Sequence, residues 1–154
     1  MTTSLDALRE TLRTEMPVTQ HLGVEITGYR GGVISLRAPL AANVNHKGTA
    51  FGGSLNAIAT LACWSTLWLA LRESGTPGEI VIQDSTIRYL RPVAQDFSSR
   101  SGPIDPAALE KLIAAVQKRG RGRLVLSAEV FDPDGIAVNF SGRYVVETSA
   151  GSNR

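Results

Sequence analysis

The chain has 154 residues, a formal net charge of +2 and 43% hydrophobic residues. That length fits one domain able to bury a core without disulfides or a structural metal, and the charge is too small to imply a nucleic-acid partner. The lone cysteine, Cys63, excludes an intrachain disulfide framework and suits a reducing compartment. Set in an apolar run, it reads as a small buried hydrophobe before a reactive thiol. The N-terminus mixes acids with bases and lacks the apolar core of a signal peptide, so a cytoplasmic location is expected.

In chain order, Ser4 can cap a short helix to about Glu15, with Leu5, Leu8 and Leu12 on one stripe. Pro17 ends it. Gly23 to Arg30 and Val33 to Arg37 flank Gly31-Gly32 as a hairpin, and Pro39 stops the second strand. Ala41 to Lys47 is loop. It delivers Asn45-His46-Lys47-Gly48-Thr49-Ala50-Phe51-Gly52-Gly53-Ser54 to an uncharged helix spanning about 51–72, closed by Gly75 and Pro77. Gly48 to Leu71 is long enough to cross a bilayer. Its Gly, Ser, Thr and Asn residues, and the absence of a flanking Lys/Arg cluster, favour a helix buried in a protein core over a membrane span.

Glu79 to Arg91 is rich in Ile, Val, Thr and Tyr and reads as a long strand ending at Pro92. Strict alternation would put Ile80, Ile82, Asp84, Thr86 and Arg88 on one face, and Val81, Gln83, Ser85, Ile87 and Tyr89 on the other. Both faces are mixed, so periodicity does not say which meets the helix. Val93 to Gly102 is expected as its partner strand, across a turn holding Gln95 and Asp96. Asp105 to Gln117 has apolar residues at helical spacing. Arg121 to Phe131 and Ile136 to Thr148 form a hairpin around Asp132-Pro133-Asp134-Gly135. The tail 149–154 reads as disordered. No linker or repeat divides residues 1–148, which read as a single domain.

Hairpins around one long apolar helix argue an α+β fold, the helix lying on a curved antiparallel sheet. Such a sheet leaves an edge or face exposed, which pairing with an identical subunit would cover, as a homodimer or a dimer of dimers. The helix start at Gly52 and Gly53 would aim free backbone N–H groups at whatever lies before it. Gly53, Asn56 and Thr60 share one helical face. That stripe is either a close-packing seam or the wall of a substrate channel. The run Lys118-Arg119-Gly120-Arg121-Gly122-Arg123 is short and lacks aromatics, which argues against RNA. No metal-ligand pattern and no cofactor motif is present, and neither a nucleic-acid nor a membrane partner is expected.

Asn45 to Leu55, the helix tryptophans Trp64 and Trp68, and Ile80 to Val93 with its Tyr89-x-x-Pro92 ending together resemble the hotdog-fold thioesterase superfamily. More narrowly they resemble the thioesterase domain of YiiD-type proteins. The likeness covers roughly Gln20 to Glu147. It implies a hotdog fold, and hydrolysis of acyl-CoA or acyl-carrier-protein thioesters at a subunit interface, with CoA as part of the substrate. The thioester carbonyl would meet N–H groups of Gly52 and Gly53, where fixed donors and the helix dipole stabilise oxyanion charge. Asn45 would bind the carbonyl or the attacking water. Phe51, Ser54, Asn56 and Thr60 are substrate-binding candidates, and Arg119, Arg121 and Arg123 would hold CoA phosphates, which suit bidentate guanidinium.

The chain departs from the family pattern at two positions. Phe51 stands where many relatives have His, and Thr60 where many have a catalytic carboxylate. Asp84 and His46 are the remaining candidates for a general base. Three classes of function follow: a thioesterase, a catalytically silent acyl-thioester-binding module, or another hotdog enzyme such as a dehydratase.

Overall fold

The computed structural model describes residues 1–148; the tail 149–154 lies outside the described residues. Helix α1 (Ser4–Glu15) is followed by the single turn α2 (Val18–His21), strands β1 (Glu25–Arg30) and β2 (Val33–Ala38), and the long helix α3 (Gly52–Glu73). Then come β3 (Glu79–Tyr89), β4 (Phe97–Ser101), α4 (Pro106–Arg119), β5 (Arg121–Asp132) and β6 (Gly135–Glu147). The strands form one six-stranded sheet in the order β1-β2-β4-β5-β6-β3, every pairing antiparallel. The sheet curves around α3, giving the α+β hotdog architecture that the sequence implies.

Local chemistry accounts for most boundaries. Thr3, one residue before the expected cap, starts α1: its hydroxyl accepts the Asp6 N–H at 3.1 Å while the Asp6 carboxylate accepts the Thr3 N–H at 3.1 Å. Two orphan donors are thereby satisfied reciprocally. Asp105 caps α4 by accepting the Ala108 N–H, and Gly120 ends that helix at φ 73, a left-handed conformation that suits glycine.

Two expectations about β3 change. Val93 to Gly102 is not its partner strand, since β4 lies between β2 and β5 and, among the described residues, β3 pairs with β6 alone. Pro92 brings no N–H to a ladder, and the Val93 carbonyl accepts the Ala50 N–H at 2.7 Å. The chain therefore crosses in front of the α3 start before re-entering the sheet. Strict alternation also fails, because a bulge between Ile82 and Asp84 shifts the register. Opposite the buried β6 residues Val146, Tyr144, Gly142, Phe140 and Val138 lie Ile80, Ile82, Ser85, Ile87 and Tyr89, which form the face toward α3. Asp84, Thr86 and Arg88 sit opposite Arg143, Ser141 and Asn139 on the outer face. An inserted residue exchanges faces for everything beyond it.

Twelve of the 22 residues of α3 are buried. That explains how a helix long and apolar enough to span a bilayer sits inside a domain. The open part is a stripe through Gly53, Asn56, Ala57, Thr60, Trp64 and Trp68, facing the β3 side of the sheet. β3 is the edge strand there, with nine of its eleven residues exposed.

Candidate active site

The glycine pair is held by a braced loop. The Phe51 N–H donates to the Asn43 carbonyl at 2.7 Å, and the Asn43 amide donates to the Leu22 and Pro39 carbonyls at 2.8 Å each. Phe51 is extended at φ −61, ψ 130, and its carbonyl accepts the N–H groups of Ser54 and Leu55 at 2.9 and 3.1 Å. Among the described residues, the N–H groups of Gly52 and Gly53 have no acceptor. They are the orphan donors of a helix N-terminus, where the macrodipole also favours negative charge. A Cβ at position 53 would displace the exposed Phe51 ring from where it lies against the start of the helix.

Tyr89 completes this corner. Its hydroxyl donates to the Gly52 carbonyl at 3.1 Å, and its ring lies 3.6 Å from where a Gly52 Cβ would stand. The Gly52 carbonyl and the Gly53 N–H belong to one rigid peptide plane. Tyr89 therefore fixes the direction of the Gly53 donor, and hydrogen bonding at the oxygen polarises that donor further.

Along the stripe, Thr60 Oγ1 donates to Asn56 Oδ1 at 3.1 Å. This orients the amide so that the Asn56 NH2 group has no partner among the described residues and stays on the half-open face. Beyond Thr60 lies a cavity of about 340 Å³ lined by Ala57, Thr60, Trp64, Ile80 and Tyr144, with Met16 and Val18 of the α1–α2 junction over it. No residue of the stripe from Gly53 to Trp68 carries an ionisable side chain.

The remaining candidates are scattered. Asn45 spends its amide within the loop: Oδ1 accepts the N–H groups of Lys47 and Thr49, and Nδ2 donates to Thr49 Oγ1 at 2.8 Å. His46 is exposed in the turn beyond the Val44–Ala50 bridge. Phe51 is 58% exposed, whereas Ser54 is buried on the packed side of α3. Asp84 lies on the outer face, ion-paired to Arg143 at 3.1 Å. It is five strand residues from Tyr89, about 17 Å. The structure does not bring Asp84 to the glycine pair within the protomer.

Arg119, Arg121 and Arg123 line a groove of about 660 Å³ with Lys111, between α4 and the start of β5; Arg121 also pairs with Glu147 at 3.3 Å. Arg121 is in register with Glu147 and Glu79, whereas Tyr89 is in register with Val138 and Val130. The arginines and the glycines thus sit at opposite ends of the sheet, on the order of 30 Å apart.

On the packed side of α3, burial pushes the Cys63 thiol up to about 11, against the hydrogen bond from Ser101. Burial, reinforced by Cys63, also pushes up the Tyr144 phenol, whose hydroxyl donates to the Thr60 carbonyl at 2.7 Å. Cys63 does not reach the open stripe, and the Tyr144 hydroxyl, although the residue lines the cavity beyond Thr60, is committed to the Thr60 carbonyl. No group of three His, Cys, Asp or Glu residues suited to a metal occurs among the described residues.

Asn43, Tyr89 and Trp64 belong to the site in the structure and are not among the site residues that the sequence implies. Tyr89 was visible only as part of the Tyr-x-x-Pro ending, and Asn43 had no signal beyond being a polar loop residue.

A braced glycine pair at the head of a central helix can be set against known families. Residues 5–148 match the family model described as "Putative thioesterase (yiiD_Cterm)". The chain belongs to this family. A thioesterase described as putative, from Shewanella oneidensis, is 30% identical over 93% of this chain and 96% of its own, with a TM-score of 0.82. A Chlorobaculum tepidum TLS protein without an assigned function is 28% identical over 93% of both chains, at TM-score 0.88. A Haemophilus influenzae thioesterase is 19% identical over 100% of this chain and 97% of its own, at TM-score 0.76, a likeness of fold.

Proposed function

We propose that this YiiD_C protein hydrolyses acyl-CoA thioesters in the cytoplasm. The observation that carries this reading is the pair of unpartnered N–H groups of Gly52 and Gly53 at the head of a half-open stripe without ionisable side chains. A thioester carbonyl set against them would gain charge stabilisation as its oxygen becomes an oxyanion, and losing one such donor costs about 3 kcal/mol in other enzymes. The free NH2 group of Asn56, one turn along, would hold the attacking water or the carbonyl. Addition of water gives a tetrahedral intermediate, and collapse expels the CoA thiolate, a leaving group stable enough to depart without a strong acid. His46 is the group we assign to accept the water's proton, since Asp84 lies on the outer face and Asn45 is committed to its loop.

The site is completed by a second copy. The exposed β3 edge carries Val81 at 56% and Tyr89 at 51% exposure, and an unpaired strand edge invites strand pairing. Antiparallel β3–β3 pairing about a two-fold axis would set the arginine end of one copy beside the glycine end of the other. The partner's β5 would then lie three strand spacings, about 14 Å, from Tyr89. That supports Arg119, Arg121 and Arg123 as phosphate contacts for CoA bound across a homodimer, and favours CoA over a carrier protein.

The absence of an ionisable side chain on the stripe favours a second reading, an acyl-thioester-binding module without catalysis. Thiol release from a panel of acyl-CoAs separates the two. Release above background at some chain length supports the hydrolase; tight acyl-CoA binding without release at any length supports the binding module.

A further inference from the structure

We infer that the cavity beneath the α1–α2 junction is the acyl-chain pocket and that Trp64 is its end wall, limiting the chain to a straight acyl group of about nine carbons. The inference rests on the proposed placement of the thioester carbonyl against the Gly52 and Gly53 N–H groups. Gly53, Ala57, Thr60 and Trp64 recur at i, i+4, i+7 and i+11, so the route from the donor to the cavity is one helix face.

The lining selects an apolar occupant because its polar atoms are already committed. Thr60 Oγ1 bonds to Asn56 Oδ1, and the Tyr144 hydroxyl to the Thr60 carbonyl. Trp64 Nε1 donates to the Ile80 carbonyl at 3.2 Å, and Thr19 Oγ1 to the Met16 carbonyl at 2.9 Å. A polar ligand would find no partner and would lose its hydration, whereas a methylene chain loses nothing.

Trp64 is also held firmly enough to act as a stop. Besides its bond to β3, it stacks on Trp68 at 6.4 Å, and Trp68 lies beneath the Arg72 guanidinium at 5.3 Å. Eleven residues separate Gly53 from Trp64, about 16 Å along the axis. Helical side chains lean toward the N-terminus and cover the preceding turn, which shortens the free path by about 5 Å. Carbon–carbon bonds of about 1.5 Å advance roughly 1.25 Å per carbon in a zigzag, so the remaining 11 Å or so takes about nine carbons.

The test is calorimetric binding of S-alkyl-CoA thioethers of increasing chain length, which cannot be hydrolysed. For the wild type, affinity should rise about fourfold per methylene and stop rising near nine carbons. Trp64→Ala should move that limit to longer chains, and Ala57→Leu, which fills the near end, should move it to shorter ones. If Trp64→Ala does not fold, the Ala57→Leu shift decides. Affinity that climbs through palmityl-CoA in the wild type, or a limit unmoved in the folded variants, overturns the inference. A length limit that responds to both variants, in a protein that releases no thiol from any acyl-CoA, upholds the pocket while refuting the hydrolase reading.

Discussion

Two sides of α3 show what one helix can be asked to do. The side toward β2, β4, β5 and β6 is packed: Leu67 and Leu69 are fully buried, and Thr66 turns its hydroxyl to the Ala62 and Ser101 carbonyls. The side toward β3 is half-open, with glycine, asparagine, alanine and threonine in place of large aliphatics until the two tryptophans. Packing sets residue size on the first side. On the second, small residues leave space and unpaired donors, a combination that costs stability unless something fills it. The difference separates residues that hold the fold from residues that meet a substrate.

Substitutions on the two sides should therefore fail in different ways. The largest effect on rate is expected from Gly52→Pro, which deletes one unpartnered N–H. Proline is tolerated at the first helical position, and Phe51 is already extended as a residue before proline must be. We expect kcat to fall by about 10²–10³-fold, with the melting temperature nearly unchanged. The largest effect on stability is expected from Leu67→Ala, at about 3 kcal/mol by chemical denaturation, with the acyl-chain preference unchanged. If Leu67→Ala altered chain-length preference while leaving stability intact, the two sides would not be distinct.

An intermediate effect should come from pH. The Cys63 thiol is raised from 9.0 to about 11 by burial, so the native state holds its proton more tightly than the unfolded chain. The corresponding stability, on the order of 2 kcal/mol, is fully present below pH 9 and is lost as the pH rises toward 11. Cys63→Ala should flatten that decline in denaturation curves, and thiol reagents at neutral pH should label the wild type only on unfolding.

Tyr89→Phe is expected to be milder. It removes the bond that aims the Gly53 donor and should lower kcat several-fold with little change in KM. Asp84→Asn should have the least effect, within about twofold in kcat/KM, because it breaks only an exposed ion pair on the outer face. A large loss at Asp84 would bring a carboxylate back into the mechanism.

Much of the fold was readable from residue order because local signals agreed. Gly31-Gly32 between two strand patterns, the glycine pair before an uncharged run, and Asp-Pro before a helical pattern each specify their element within a few residues. The stripe of Gly53, Asn56 and Thr60 was also visible on a helical wheel, and it is half-open in the structure. The bulge in β3 was not visible, because Gln83 and Asp84 fit strict alternation as well as any neighbour. It alone decides that Asp84 faces away from α3. The partners of β4 were equally hidden, since a short turn after β3 suggests a hairpin whereas Val93 instead bonds to Ala50 and β4 lies between β2 and β5. Trp64 enters the sequence reading only through the family resemblance, because an apolar wheel cannot tell a cavity wall from packing.

The central claim is that a thioester carbonyl is activated by the backbone at the head of α3. Its most direct test is thiol release from nonanoyl-CoA by the wild type and Gly52→Pro, after circular dichroism shows equal folding. A loss of about 10²-fold or more in kcat is expected, with thioether affinity retained within a few-fold. Equal rates in the two proteins would contradict it.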